Sequence, residues 1–427
     1  MIYLERWIKE KTGGDIKQYQ ISSLKKILRY ASERSDFYRN LAAYEVRNLD
    51  DLSKIPFTYP EDLKNEPYKF LCVSVTKIRR RFTLYTSGTT GTPKMVFFTQ
   101  GDIDKITDYM GVTSKTMADC ASLPEGYKVV QLLPDSKPMS QARLSTEGAE
   151  KVKAVAVTVQ PTLDSENILE LIREHKPDVL FGTPTRIYRI TQQCEEQHKL
   201  DKLGIKVLFI SSEYAPRVMD ERLEALWGCQ VYHYYGMTET GFMGGVDCPS
   251  HDKLHFNEYD LLLEVIDPQT GKPVKKGEGE LVFTTLRREA MPLIRYRTGD
   301  LVELIPGKCS CGTSLISLGR AIKRAESVEK LEDEEVSLTD FDKVMYTVPQ
   351  VIDYQVAFGK EGEKDTVIVT VEVTKSGGDI KGLVKDAVMS ISTIKKHVEA
   401  GHMSEPEIKV VDSIKREGRA KKRIQRF

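Results

Sequence analysis

One ten-residue segment, Tyr85 to Lys94, limits most strongly what this chain can fold into. It reads Tyr-Thr-Ser-Gly-Thr-Thr-Gly-Thr-Pro-Lys. Its hydroxyls and backbone N–H groups can donate to phosphate oxygens, and its two glycines let the backbone approach a ligand closely. Lys94 adds a positive charge. A short strand that ends at Tyr85 and another that begins at Val96 predict a polyphosphate-binding loop between two strands.

A Walker A loop is the first alternative for such a segment. That loop needs a glycine directly before its lysine, and a serine or threonine directly after it. Here Pro93 precedes Lys94 and Met95 follows it. The pattern therefore argues against the P-loop fold and favours another nucleotide-binding design.

The length and charge of the chain limit the remaining possibilities. A chain of 427 residues predicts two or three domains. The 63 Lys and Arg residues balance the 63 Asp and Glu residues, so no overall charge favours a nucleic acid or a membrane as partner. The N-terminus has no apolar segment of the signal-peptide kind, which predicts a cytoplasmic protein. Seven cysteines, an odd number, argue against a disulfide framework.

The order of elements predicts an α/β fold in two parts. Between residues 128 and 236, short apolar runs alternate with amphipathic segments, which is typical of a mostly parallel sheet. Antiparallel strands follow, and residues 321–336 are dense in charge. We therefore predict a large N-terminal domain of mixed sheets and helices over residues 1–320, and a small mobile α+β domain over residues 321–427. Single helices are expected over residues 16–42 and 380–398.

Four further segments follow predicted strands or turns, where ligands usually bind in α/β folds. They are Ser211-Ser-Glu-Tyr214, Tyr234-Tyr-Gly-Met-Thr-Glu239, Arg295-Tyr-Arg-Thr-Gly-Asp300 and Gly319-Arg320.

Each of these segments offers a specific contact to a nucleotide. Tyr235 can stack on a purine, Thr238 can donate to an α-phosphate, and Glu239 can hold Mg²⁺. Asp300 can accept hydrogen bonds from ribose hydroxyls, and Arg320 can add a second contact. Taken singly, the same segments are also typical of ordinary turns, and Arg295 and Arg297 could each be a surface residue of a strand.

Taken together and in this order, the segments resemble the adenylate-forming superfamily. More narrowly, the chain resembles the phenylacetate–CoA ligase and coenzyme F390 synthetase family over nearly its whole length. Supporting stretches are residues 30–39, 51–56, 266–273, 278–285 and 290–300.

The resemblance implies an ATP-dependent reaction in two steps. A carboxylic acid first attacks the α-phosphorus of ATP, and a thiol, usually that of coenzyme A, then displaces AMP. It also implies Mg²⁺, a C-terminal domain that rotates between the steps, and a homodimer. The nucleotide-binding residues that it implies are Thr86, Ser87, Gly88, Thr89, Thr90, Gly91, Lys94, Ser212, Glu213, Tyr235, Gly236, Thr238, Glu239, Asp300 and Arg320.

Two departures from the family pattern leave alternatives open. The family has a lysine near the C-terminus that completes adenylation, and Arg419 stands in its place here. Three alternatives follow: Arg419 takes the role of this lysine, Lys421 or Lys422 takes it, or adenylation is slow. The segment usually lining the acyl pocket, about Leu132 to Arg143, lacks the pattern of phenylacetate ligases. Transfer to a carrier protein or cofactor, and a non-catalytic nucleotide-binding relative, therefore remain alternatives to a CoA ligase.

The resemblance also implies a metal site. The family often has a cysteine, a downstream histidine and a Cys-x-Cys pair, which Cys248, His255, Cys309 and Cys311 match. A closed Cys3His set predicts structural Zn²⁺. His251 is an alternative ligand, and unpaired loop thiols are the alternative to a metal.

Overall fold

A computed structural model describes residues 1–84, 94–135, 139–160, 162–320, 323–324, 328–332, 334–374, 378–414 and 424–426. In these ranges no helix combines the length and the apolar character needed to cross a bilayer.

Eleven α-helices lie in the described ranges: α1 (Tyr3–Thr12), α2 (Ile16–Arg34), α3 (Pro60–Asn65), α4 (Gln100–Cys120), α5 (Gln141–Lys151), α6 (Ser165–His175), α7 (Pro184–Cys194), α8 (Arg217–Trp227), α9 (Leu338–Met345), α10 (Ile380–Met389) and α11 (Ser392–Glu399). Short 3₁₀ helices occupy Arg39–Ala43, Leu49–Lys54, Pro67–Phe70, Val75–Lys77 and Leu200–Leu203.

The described strands are β1 (Arg80–Leu84), β2 (Lys94–Phe98), β3 (Lys128–Gln131), β4 (Val155–Thr158), β5 (Val179–Gly182), β6 (Val207–Ser211), β7 (Gln230–Tyr235), β8 (Gly245–Asp247), β9 (Lys253–Phe256), β10 (Leu261–Ile266), β11 (Gly277–Thr285), β12 (Tyr296–Leu304), β13 (Ser317–Gly319), β14 (Lys323–Arg324), β15 (Val328–Leu331), β16 (Glu334–Ser337), β17 (Val351–Glu361), β18 (Lys364–Val373), β19 (Glu407–Val411) and β20 (Ile424–Arg426).

A twelve-stranded sheet forms the centre of the fold. Its order is β10-β11-β12-β13-β9-β8-β7-β6-β5-β3-β4, with β14 paired to β12. Strands β4, β3, β5, β6 and β7 run parallel, as the alternating pattern predicts. Strands β5 and β6 are buried along their whole length, which accounts for their continuous apolar sequences. Beyond β7 the neighbours are antiparallel, so the sheet is mixed.

Strands β1 and β2 pair as an antiparallel hairpin, and the segment that joins them is the predicted phosphate loop. Residues 85–93 of that loop lie outside the described residues. Lys94 is the first residue of β2, so its backbone position is fixed by the pairing with Leu84.

The sequence-based helix boundaries are wrong in two places. Helix α2 ends at Arg34, because Ser35 turns to an extended conformation with φ −102° and ψ 129°. The helix expected over residues 380–398 is two helices, because Ile391 adopts ψ 114° and interrupts the hydrogen-bond ladder between α10 and α11.

The C-terminal residues form a separate four-stranded sheet in the order β19-β18-β17-β20. One apolar cluster joins it to helices of the large part, with Tyr188 of α7 packed against Tyr346. At the same contact, the Arg189 guanidinium pairs with the buried Glu372 carboxylate through both nitrogens and lies 3.6 Å from Asp353 Oδ2.

Candidate active site

Lys94 and Glu239, the residues predicted to bind phosphate and Mg²⁺, meet Tyr296 at the loop end of the β1–β2 hairpin. Lys94 Nζ lies 2.6 Å from Glu239 Oε1. The Tyr296 hydroxyl, from the start of β12, lies 3.4 Å from Lys94 Nζ and 3.3 Å from the same Glu239 oxygen. The lysine side chain is 14% exposed and that of Glu239 is 4% exposed. The structure therefore brings the predicted phosphate lysine and the predicted Mg²⁺ carboxylate together.

The residues predicted to hold the nucleoside also meet. The Tyr235 hydroxyl, at the end of β7, donates to Asp300 Oδ2 at 2.7 Å. Asp300 is buried in β12, where its own N–H donates to the Thr298 hydroxyl at 3.0 Å. Because β12 carries both Tyr296 and Asp300, it links the two ends of the site, at most about 13 Å apart along the strand.

The loop after β7 needs a glycine at position 236. A Cβ built there would lie 3.0 Å from the Phe242 carbonyl oxygen and 3.2 Å from the Tyr234 hydroxyl. A side chain at this position would push the loop away from the residues it packs on. The close packing of Gly236 thus fixes where Thr238 and Glu239 stand.

Arg320 is held by buried carboxylates that the sequence did not indicate. Its Nη2 donates to Asp220 Oδ2 at 2.6 Å, and its Nη1 lies 3.6 Å from Asp247 Oδ2. His233 Nε2 lies 3.0 Å from the same Asp220 oxygen. Burial alone would raise the pKa of Asp220, but His233 and Arg320 hold that pKa below its usual value. Three elements, α8, β7 and β8, contribute these residues, and no local motif joins them.

Ser212 and Glu213 follow β6 directly. Ser212 has φ 78°, a left-handed conformation that turns the chain sharply at the end of the strand. Glu213 accepts a hydrogen bond from the Thr185 hydroxyl of α7. Both residues thus lie at the carboxyl edge of the parallel strands.

Seven predicted site residues lie outside the described residues, so their roles stay predictions. They are Thr86, Ser87, Gly88, Thr89, Thr90, Gly91 and Arg419.

The alternative that Arg295 is a surface residue is wrong. Arg295 is buried and contacts both carboxylate oxygens of Glu264, at 3.0 and 2.8 Å. Its guanidinium lies 4.0 Å from the centre of the Phe57 ring. Arg297 pairs with Glu280. Arg295 is therefore a buried structural residue, and Arg297 is partly exposed and joins the neighbouring strands β12 and β11.

Comparison with known proteins decides the family. The model of the AMP-binding enzyme family matches residues 73–286, half of the chain. This chain belongs to the AMP-binding enzyme family. It is 28% identical to the phenylacetate-coenzyme A ligase of Thermus thermophilus over 84% of this chain and 82% of the relative. It is 26% identical to the phenylacetate-coenzyme A ligase of Escherichia coli over 86% of this chain and 85% of the relative.

Solved structures agree with the fold of this AMP-binding enzyme. A 2-hydroxyisobutyryl-CoA ligase in the postadenylation state aligns with a TM-score of 0.77 at 21% identity, covering 96% of this chain and 89% of that chain. The same ligase in the thioesterification state aligns with a TM-score of 0.66. The predicted family and the predicted α/β fold class are confirmed, and the relatives agree with the predicted class of AMP-forming acid–thiol ligase.

The AMP-binding enzyme also brings its four predicted metal ligands together. The ligand atoms of Cys248, His255, Cys309 and Cys311 lie within 4.8 Å of one another. Cys248 Sγ lies 3.8 Å from Cys309 Sγ, and Cys311 Sγ lies 3.5 Å from His255 Nε2. Tetrahedral zinc with ordinary bond lengths places two sulfurs about 3.8 Å apart and a sulfur and a nitrogen about 3.6 Å apart.

The surroundings favour His255 over His251 as the fourth ligand. His255 Nδ1 lies 3.2 Å from the Ser317 hydroxyl, which leaves Nε2 facing the sulfurs. His251 Nδ1 instead lies 3.3 Å from Asp247, and its ring packs on Tyr232. The donor set and its spacing therefore fit a zinc ion.

Proposed function

We propose that this AMP-binding enzyme is an ATP-dependent carboxylate ligase that forms an acyl-adenylate and then passes the acyl group to coenzyme A. One observation carries the proposal. Strand β12 carries Tyr296, which lies beside the Lys94–Glu239 pair, and Asp300, which bonds to Tyr235, so the residues for the phosphates and those for the nucleoside lie near one strand.

In the first step, an oxygen of the acid attacks the α-phosphorus of ATP, the bond to the β-phosphate breaks, and pyrophosphate leaves. Lys94 contributes a cation beside the leaving phosphates, with residues 86–91 as further donors. The lysine exchanges its bond to Glu239 for one to a phosphate oxygen, and Thr238 donates to the α-phosphate. These residues hold the reactants in line and stabilise the developing charge.

A magnesium ion fits the same place. Glu239 offers a buried carboxylate, and Lys94, a cation paired with it, can move to a phosphate oxygen. Mg²⁺ prefers one or two carboxylates together with phosphate oxygens. When bound, the ion neutralises phosphate charge, and Glu239 would hold it.

At the nucleoside end, Asp300 exchanges its bond from the Tyr235 hydroxyl for bonds from the ribose, which leaves the Tyr235 ring to stack on the purine. Arg320 supports this end as a second donor. Its Nη1 makes no hydrogen bond to any residue of the described ranges. The Asp220 and Asp247 carboxylates fix the orientation of its guanidinium.

Pyrophosphate exchange into ATP, driven by a panel of carboxylic acids, tests the proposal. Acid-dependent exchange is expected, followed by consumption of free coenzyme A in the complete reaction. Tight ATP binding without exchange by any acid would favour a non-catalytic relative. Exchange without consumption of coenzyme A would favour transfer to a carrier protein or cofactor. Arg419→Ala and Lys421→Ala, compared in the same assay, identify the cation that completes adenylation.

We further propose that residues 321–427 form the domain that moves between the two steps. Its present position is held by the Arg189 pair with Glu372. Arg189→Ala should therefore change the ratio of the rates of adenylation and thioester formation, which single-turnover measurements of each step separate. An equal change in both rates would contradict this role. The implied homodimer stays a prediction that analytical ultracentrifugation tests.

We also propose that Cys248, His255, Cys309 and Cys311 bind a structural zinc ion, because their spacing fits tetrahedral coordination. Metal analysis should give about one zinc per chain. Cys309→Ser should lose the metal and lower the melting temperature, whereas Cys229→Ser, outside the cluster, should keep the metal. Zinc far below one equivalent in the unaltered protein would contradict the site.

A further inference from the structure

One buried carboxylate, that of Asp247, lies between the proposed zinc site and the arginine at the nucleoside end. Asp247 is the last residue of β8 and is fully buried. Its Oδ1 accepts a hydrogen bond from the N–H of Cys248, a proposed zinc ligand, at 2.8 Å. Its Oδ2 lies 3.6 Å from Arg320 Nη1. The two oxygens of one side chain therefore contact one site each.

The strands beside Asp247 join the same two sites a second time. His255, the histidine of the proposed zinc site, lies in β9, which pairs with β8 on one side and with β13 on the other. Its Nδ1 lies 3.2 Å from the hydroxyl of Ser317, the first residue of β13. Arg320 directly follows Gly319, the last residue of that strand. The position of the zinc site therefore bears on both a partner of Arg320 and the strand that leads to it.

A metal bound at this site would hold these elements in place relative to one another. Cys248 and His255 stand on either side of the turn between β8 and β9, and Cys309 and Cys311 lie in the loop between β12 and β13. Metal–ligand bonds join segments that are distant in the chain, and the groups hydrogen-bonded to the ligands are held with them. Asp247 is such a group, because it accepts the N–H of Cys248.

The orientation of Arg320 depends on two carboxylates. Its Nη2 donates to Asp220 Oδ2 at 2.6 Å, and its Nη1 lies beside Asp247. A planar guanidinium held at one nitrogen can still turn about that contact, whereas a second carboxylate at another nitrogen fixes its plane. Asp220 belongs to α8, on the far side of Arg320 from the zinc site, so Asp247 is the carboxylate that responds to that site.

From these contacts we propose that Asp247 is a positioning residue that couples the two sites: zinc at the Cys3His site holds Asp247, and Asp247 holds the Arg320 guanidinium in the orientation that binds the nucleotide. Zinc therefore raises the affinity for ATP, although none of its four ligands contacts the nucleotide in the proposed function. The inference rests on that function, in which Arg320 supports the nucleoside end of ATP.

Calorimetric titration of the zinc-loaded protein with ATP, without any acid, tests the coupling. Asp247→Asn keeps the size of the side chain and an oxygen for the Cys248 N–H, but it removes the negative charge beside Arg320. The variant should keep its zinc and raise the Kd for ATP about fivefold or more, a usual size of coupling between two sites. Asp252→Asn is the matched control, because it removes an exposed carboxylate from the same turn. Its zinc content and its Kd should not change.

A double-mutant cycle shows whether the effect runs through Arg320. Arg320→Met should weaken ATP binding by itself. Adding Asp247→Asn should then weaken it no further, because the group that Asp247 positions is gone. Removal of the metal should likewise raise the Kd of the unaltered protein and leave that of Arg320→Met unchanged. If circular dichroism shows that the metal-depleted protein unfolds, the cycle on the zinc-loaded variants decides.

The outcomes distinguish the inference from the function on which it rests. An unchanged Kd in Asp247→Asn, or losses that add up in the double variant, would overturn the inference and leave the ligase function standing. A protein that holds no zinc and takes up none on reconstitution would do the same. Absence of ATP binding by the unaltered, zinc-loaded protein would overturn the proposed function and the inference together.

Discussion

Two ion pairs lie at neighbouring residues of the chain and differ in their contacts. Arg295 pairs with Glu264, and the hydroxyl of the next residue, Tyr296, lies beside the Lys94–Glu239 pair. Arg295 uses its guanidinium on both oxygens of Glu264, on the Ser53 carbonyl and on the Phe57 ring. The Lys94–Glu239 ion pair joins one nitrogen to one carboxylate oxygen at 2.6 Å. The first pair uses two guanidinium nitrogens and both carboxylate oxygens, whereas the second uses one atom from each side chain.

The two pairs are therefore suited to different tasks: the Arg295–Glu264 pair to stabilising the fold, and the Lys94–Glu239 pair to binding a ligand. A buried guanidinium with every partner in the protein gains nothing from a ligand, so it stabilises the strands that it joins. Lys94 meets the Glu239 carboxylate through one oxygen and is 14% exposed, so a phosphate oxygen can reach its ammonium group. Arg295 and Lys94 both lie within or beside motifs of the family, and the difference between them comes from the residues that surround each one.

The largest effect is expected at the Arg295–Glu264 pair. Arg295→Ala should lower the free energy of unfolding by about 3–5 kcal/mol, because it leaves the Glu264 carboxylate buried without its cation. Chemical denaturation measures this. Arg39→Ala is the control, since its pair with Asp36 is exposed, and no measurable change is expected. Equal losses in the two variants would remove the distinction.

The second largest effect is expected at the Lys94–Glu239 pair. Lys94→Ala and Glu239→Gln should each lower kcat for pyrophosphate exchange about 10²- to 10³-fold, the usual effect of removing one group that stabilises the transition state. Their denaturation midpoints should move far less than that of Arg295→Ala. Unchanged kinetics in Lys94→Ala would contradict the phosphate role.

A smaller effect is expected at the nucleoside end. Asp300→Asn should raise KM for ATP about 10- to 100-fold, because a neutral amide replaces a charged acceptor of the ribose hydroxyls. KM for the acid should stay the same. A rise in both constants would mean that the variant disturbs the whole site.

The smallest effect is expected from Tyr296→Phe. Its hydroxyl contacts are long, at 3.3 and 3.4 Å, so kcat should fall only about three- to tenfold. Steady-state kinetics measure this. A loss as large as that in Glu239→Gln would mean that the hydroxyl itself contacts the reacting phosphates.

The sequence predicted the family, the fold class and the ligase class, and it predicted strands β5 to β7 nearly to the residue. Periodicity and strand–helix alternation are local properties that a buried parallel sheet imposes on its own sequence. Helix α4 was not predicted, because it is buried on several faces and its apolar residues follow no single stripe.

The site was predicted where its residues belong to contiguous motifs. Tyr235, Glu239, Asp300 and Lys94 were predicted in this way and meet in pairs in the structure, while their roles and that of Thr238 stay predictions. Asp220, His233 and Asp247, which surround Arg320, were missed, because three separate elements supply them and none carries a motif.

By itself, the sequence predicted which chemistry is present: a phosphate loop, a carboxylate for a metal, a residue for the ribose, and three cysteines with a histidine. Only the tertiary structure decided which charges are already satisfied and which can be exchanged. The physical reason is that residue type and order are encoded locally, whereas burial, pairing and free volume arise between segments far apart in the chain.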